Sequence, residues 1–330
     1  MGLYEGRWSE GLVKEAVWLG GQAPFESVEG ILLRLRGVSI SDSSIWRRVQ
    51  RCGQRLGAVQ EREREAAMVR PVRYEPARGP KMGVAMDGTM VHVRQEGWKE
   101  VKIGSVFEVG RRVVRDEDTG EPVVVGEAKE TSYVAHLGGP EAFGELLWAE
   151  ARGRGWLRSR DSQVIGDGAA WVWNLAGLHF GDSLQLVDWY HALEHLGAAA
   201  RLVCGEGTVQ AQRWLRGSKE RLYQGHAAAI AQELWQAAEE GGEQAEVLRR
   251  EAGYFRHNQH RMNYLEMREE EWLIGSGVVE SAAKQLKGRL AGPGMMWSRP
   301  GVEHMLPITT AIMSNRFDEL WHAAYHPPPN

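Results

Sequence analysis

Between Lys81 and Leu137 the chain carries four β-rich runs, MGVAMDG, MVHVR, WKEVKIGSVFEV and VVVGEAKETSYVAHL. No other stretch narrows the accessible folds as much. β-branched and aromatic residues at short spacing mark strands. A turn-rich insert from Asp116 to Pro122 predicts a hairpin connection, so the first strands are antiparallel neighbours. The period then lengthens. A helix is expected from Pro140 to about Gly153, followed by a strand SQVIGD, a short helix AAWVWNLA, a strand SLQLVD and a helix beginning at Trp189. Strands first, then strictly alternating helices and strands, predict a mixed α/β architecture with helices on both faces of one sheet.

The order is that of an RNase H-like five-stranded sheet. From Ala198 onward the pattern is almost wholly helical, which predicts an all-α insertion over 198–270. It divides the core into a first part, 81–197, and closing helices, 271–330. The first 60 residues also read as helices. Apolar residues from Phe25 to Leu35 recur at helical spacing, GVSIS makes a turn, and Asp42-Ser43-Ser44 offers a cap to IWRRVQRCGQRL. This is a helix-turn-helix pattern, whose second helix would turn Arg47, Arg48, Arg51 and Arg55 to a DNA duplex, with Ser43 and Ser44 entering the major groove. A plain helical hairpin with an arginine-rich solvent face has the same signature. Residues 61–80, charged and then interrupted by three prolines, read as a linker.

Three acids stand in settings suited to metal-dependent phosphoryl transfer: Asp87 in VAMDGT, Asp167 in VIGDGA and Glu280 in WLIGSGVVESAAKQ. Each aspartate ends an apolar run and is followed by glycine, so a carboxylate emerges at a strand end with little steric cover. Glu280 opens a helix returning to the sheet. Three carboxylates supply hard oxygen ligands, and paired divalent cations about 3.5–4 Å apart stabilise both oxygens of an in-line displacement at phosphorus. The bland readings are an Asp-Gly turn, a helix cap and a first-turn acid.

Composition leaves this chemistry open. The 330 residues are 43% apolar, with no run approaching a membrane span and no apolar signal core at the N-terminus, so a cytoplasmic protein is expected. Cys52 and Cys204 form no CxxC pair, which argues against a cysteine-based zinc module. A net charge of −4 argues against a nucleic-acid partner, but the charge is unevenly spread. Ile31 to Arg64 holds eight arginines against three acids, whereas acids gather at Glu233–Glu251 and Glu269–Glu271.

In combination MDGT, GDGA, LVDWYHALEHL, IGSGVVESAAKQ and GPGMMWSRPG make the chain resemble bacterial insertion-sequence transposases of the DDE class, the ISKra-type group, and more distantly mutator-like and hAT transposases. The resemblance spans nearly the whole chain. It implies an RNase H-like core with Asp87, Asp167 and Glu280 as catalytic and metal-binding residues. It also implies magnesium as the ion, with manganese able to substitute. The partners implied are double-stranded DNA, at the element's terminal inverted repeats and at the target, and further copies of the chain in a dimer or larger synaptic assembly, without a membrane.

Several other residues join this set. Asp188 and His191 form a D-x-x-H similar to a paired motif of mutator-like and hAT transposases, a supporting role; alternatively Asp188 caps its helix. The overlapping His191-Ala192-Leu193-Glu194-His195 matches the H-x-x-E-H pattern of zinc hydrolases, which defines a rival enzyme. Lys284 and Lys287 share the Glu280 face of their helix and read as DNA contacts, as does Arg289; Lys284 is equally suited to an ion pair with Glu280. Of the 14 tryptophans most must be core, and Trp297, in a Gly/Pro-rich loop, is the one marked for DNA stacking. A catalytically inactive, transposase-derived DNA-binding regulator is the remaining alternative.

Overall fold

The computed structural model describes residues 3–4, 8–73, 78–115 and 120–327. Its centre is a mixed sheet of strands β1 (Met82–Val93), β2 (Gly97–Arg115), β3 (Pro122–Leu137), β4 (Ser162–Gly166) and β5 (Leu184–Val187), in spatial order β3-β2-β1-β4-β5. β1, β2 and β3 are mutually antiparallel, while β4 and β5 run parallel to β1. MGVAMDG and MVHVR are therefore one strand. The ladder between β2 and β3 runs out to Arg115↔Pro122. The expected hairpin at Asp116–Pro122 lies at its tip, and residues 116–119 of it fall outside the described residues.

Alternation along β1 sorts its side chains onto two cores. Met82, Val84 and Met86 pack with Val164, with Phe143 and Leu147 of α4 (Pro140–Gly153), and with Val172 of α5 (Ala170–His179). Ala85, Val91 and Val93 face the other way. They join one cluster with residues of the N-terminal helices α1 (Glu10–Gln22), α2 (Phe25–Arg36) and α3 (Asp42–Val69) and of C-terminal helices described below. The N-terminal helices are thus part of the main core. Where α3 crosses the C-terminal helix α12 (Arg299–Met313), the backbones approach so closely that a Cβ on Gly53 would lie 1.9 Å from the His304 carbonyl oxygen.

The expected linker at 61–80 is corrected here: α3 continues to Val69, and the irregular stretch begins only beyond it. Charged residues 61–65 sit on a helix because Arg64 pairs with Glu61 and reaches Glu145 on α4, while Arg152 donates to the α3 carbonyl of Ala67 at 2.5 Å and to that of Arg70 at 2.8 Å. The Arg152 guanidinium thus satisfies carbonyls a helix end would otherwise leave open.

α6 (Trp189–Cys204), α7 (Val209–Tyr223), α8 (Ala227–Glu239), α9 (Ala245–Asn258) and α10 (Tyr264–Glu269) form the helical insertion. Its own core, including Leu234, Phe255, Met262 and Tyr264, runs onto Leu186 and Val187 of β5. The chain returns through α11 (Gly277–Leu290), α12 (Arg299–Met313) and α13 (Phe317–Tyr325). No helix of the described residues is long and apolar enough to cross a membrane.

Candidate active site

The site forms at the carboxyl end of the parallel strands. The last pair between β1 and β4 is Ala85↔Ile165, and Asp87 and Asp167 each stand two residues beyond it, so the two acids emerge at one level of the sheet. Asp87 is not a strand-end residue as its Asp-Gly sequence predicted. β1 continues past it, paired with β2 from Gly88↔Lys102 to Val93↔Gly97. What ends at this level is the parallel neighbour, and its ending uncovers Asp87 on one side. Shared orientation with Ala85 and Val91 turns Asp87 to the face covered by α11.

Each carboxylate is fixed by a local backbone donor. The Gly88 N–H donates to Asp87 Oδ1 at 2.7 Å, and the Ala169 N–H to Asp167 Oδ1 at 2.8 Å. The second contact also braces the start of α5, as the helix-cap reading anticipated. Glu280 lies in the first turn of α11, exposed, with Oε1 bonded to Lys284 Nζ at 2.6 Å. Burial pushes the Asp87 carboxyl above its ordinary range; the negative charges of Asp167 and Glu280 push the same way, against the Gly88 N–H and His191.

Asp188 caps its helix, as one of its two readings expected. It is buried and caps α6 through the His191 N–H at 2.7 Å, while its second oxygen accepts the Ser276 N–H. With the Trp189 N–H on the Ile274 carbonyl at 2.9 Å, it latches the start of α6 to the segment that launches α11. Both carboxylate oxygens are committed to backbone donors. His191 remains beside Asp87, close enough to act on its charge.

A hard divalent cation fits the donor set, since all three acids offer oxygens and their mutual repulsion is the kind a cation relieves. Among the described residues no three His, Cys, Asp or Glu side chains form a group that could hold a metal ion, and Glu280 is paired with Lys284. The H-x-x-E-H stretch has its own contacts. Nδ1 of His195 is taken by Glu251 Oε2 at 2.6 Å, and the ring lies flat on Tyr254.

Two residues expected at DNA are removed from that role. Arg289 is 5% exposed: Nε and Nη2 donate to the Gly20 carbonyl at 2.9 and 2.7 Å, and the guanidinium lies over the rings of Phe25 and Trp297. Trp297 is itself buried, its indole N–H donating to the Leu290 carbonyl at 2.8 Å. Trp297 is held to β1 on both sides, through its N–H to the His92 carbonyl and its carbonyl to the Arg94 N–H. Lys284 and Lys287 are exposed. On α3, Arg47 and Arg51 are exposed, with Arg47 donating to Ser44 Oγ at 3.1 Å; the guanidinium of Arg48 lies 5.2 Å over Trp8 and that of Arg55 5.0 Å over Tyr325.

Sequence reasoning missed Tyr254 and Asn258 of α9, which close over the Asp167 loop. The Tyr254 hydroxyl donates to the Asp167 carbonyl at 3.1 Å, and Asn258 accepts the Trp173 indole N–H at 3.1 Å. Their spacing with Glu251 puts all three on one face of α9. That spacing was the sole sequence signal. A cavity of about 950 Å³ between α3, α4 and the C-terminal helices contains none of the three acids and plays no part in this site.

Comparison of the chain with protein-family models and with curated proteins returns no match.

Proposed function

We propose that this chain is a DDE-type transposase with an RNase H-like core, which cuts DNA at the ends of a mobile element and joins the freed 3′ end to target DNA. The observation that carries this reading is that Asp87 and Asp167 emerge at one level where the parallel strands end, with Glu280 in the first turn of the helix that packs on that face. The strand order β3-β2-β1-β4-β5, with the first three strands antiparallel, supports the core assignment. Glu280 follows an inserted helical unit, and the Asp188 latch holds Ser276, four residues before it.

Asp87, Asp167 and Glu280 would hold magnesium, or manganese in its place, which when bound supplies Lewis-acid stabilisation of the attacking and leaving oxygens. Glu280 must leave Lys284 to join them, which frees the Lys284 ammonium for a DNA phosphate. Water attack at phosphorus breaks the P–O3′ bond and leaves a 3′-hydroxyl; that hydroxyl then attacks a target phosphodiester in line. Positioning of the two DNA segments carries much of this catalysis. Joining element ends to a target calls for a pair or larger set of chains.

The test is a magnesium-dependent cleavage and joining assay on linear DNA carrying the sequences that flank the reading frame. Asp87→Ala, Asp167→Ala and Glu280→Ala should each lower the rate about 10³-fold, equivalent to about 4 kcal/mol of transition-state stabilisation. A variant that keeps the wild-type rate removes that residue from the catalytic set. Salt-sensitive DNA binding by a wild-type chain that never cleaves would favour the regulator instead.

A further inference from the structure

We infer that the helical insertion is a working part of the site: Tyr254 of α9 is a positioning residue that sets the Asp167 loop, and the His195–Glu251 pair sets Tyr254. This rests on the reading of Asp167 as a metal-binding carboxylate. The loop has a conformational weak point. Gly168 has φ +101°, a region open to glycine and strained for other residues, and it is the only residue between Asp167 and the Ala169 N–H that anchors its carboxylate. The local contact fixes the carboxylate to the loop but does not fix the loop to the protein.

Tyr254 supplies that second constraint. Its hydroxyl holds the Asp167 carbonyl, and its ring fills the space beside Gly168, where a Cβ would meet Tyr254 Cε2 at 2.7 Å. The ring is stacked on His195 at 3.6 Å between centroids with planes 19° apart. His195 in turn cannot rotate freely, because Nδ1 is bonded to Glu251, a carboxylate 4% exposed. Asn258 adds a third support, donating to the Tyr254 carbonyl at 3.0 Å while gripping Trp173 of α5. Three elements, α5, α6 and α9, thus converge on the loop. The second half of the H-x-x-E-H motif finds its use here, as a prop for an aromatic clamp.

Supporting groups that orient a ligand typically control metal affinity or activity by about 10- to 100-fold. Tyr254→Phe keeps the ring and removes the hydroxyl; His195→Ala keeps Tyr254 and removes its prop. We expect both to bind Mn²⁺, followed by electron paramagnetic resonance, about 10-fold more weakly than the full-length wild type. The Mg²⁺ needed for half-maximal cleavage should rise by the same factor, with most of the rate recovered at saturating metal. Amide exchange should quicken across residues 166–170 and stay unchanged in α4 and β2. A purely structural lesion would accelerate exchange throughout and would not be rescued by metal. Wild-type Mn²⁺ affinity with an unaltered loop in Tyr254→Phe would overturn the proposal. Absence of Mn²⁺ binding by the wild type would instead sink the active-site reading, and loop exchange would still decide whether Tyr254 holds the loop.

Discussion

Two charged residues nine positions apart on α11 meet opposite fates. Glu280 stands exposed at the start of the helix, bonded to Lys284. Arg289 is buried near the other end, its donors on the Gly20 carbonyl and its plane covered by two aromatic rings. Burial lowers the Arg289 ionisation to about 10, so it remains charged at neutral pH and is held by neutral partners. The contrast separates scaffold from site. Arg289 is buried at a desolvation cost and ties α11 to Gly20 of α1, whereas like-charged carboxylates are the kind of group a cation relieves.

The largest expected effect tests the scaffold half. Arg289→Ala strands the Gly20 carbonyl and opens a space between Phe25 and Trp297, which should cost roughly 3 kcal/mol in urea denaturation. Metal-dependent cleavage per folded molecule should survive. A variant with wild-type stability would show that the cluster is not structural, and lost activity in fully folded protein would return Arg289 to the DNA-facing set.

Asp87→Asn should do the reverse, abolishing cleavage while leaving the protein at least as stable as wild type. The pH dependence gives the sign. At low pH Asp87 binds a proton in both folded and unfolded chains. As pH rises past about 4 the unfolded carboxyl ionises first, because the folded value is raised, so stability supplied by the protonated form is lost until Asp87 itself ionises. The stability advantage of Asp87→Asn over wild type should therefore grow from nothing in acid to a plateau above the folded value. Saturating Mg²⁺ should shrink it. A constant offset at all pH values would mean that the carboxylate carries no such penalty.

The difference between the two ends of α11 also explains which features were legible in the sequence. Strands showed themselves because alternation is local, and the three acids because each sits beside glycine or at a helix start. Arg289 did not, since its partner Gly20 is 269 residues away. Trp297 looked like a loop residue because nothing nearby announces that Val93 lies beside it in a parallel bridge. The charged run after Glu61 imitated a linker until Glu145 and Arg152 supplied the contacts that hold it helical. Asp87 misled through its turn-like Asp-Gly pair, because only β2, alongside, keeps β1 extended past it. Tyr254 was hidden for the same reason as Arg289: its importance lies in what a distant loop needs.

The smallest effects belong to the arginines of α3, some of which lie over aromatic rings. Arg47 and Arg51 lie on its exposed face, whereas Arg48 and Arg55 place their guanidinium groups over Trp8 and Tyr325. A cation resting on an aromatic ring contributes on the order of 0.5–1 kcal/mol where solvent reaches it, so Arg48→Ala and Arg55→Ala should lower stability slightly. Arg47→Ala and Arg51→Ala should lower the slope of log affinity against log salt by about 1 each if they contact phosphates. Measured on one duplex over a salt series, equal slopes for all four variants and the wild type would remove α3 from the DNA surface. The carboxylate site would be untouched by that result, since its geometry depends on α11 and the end of the sheet.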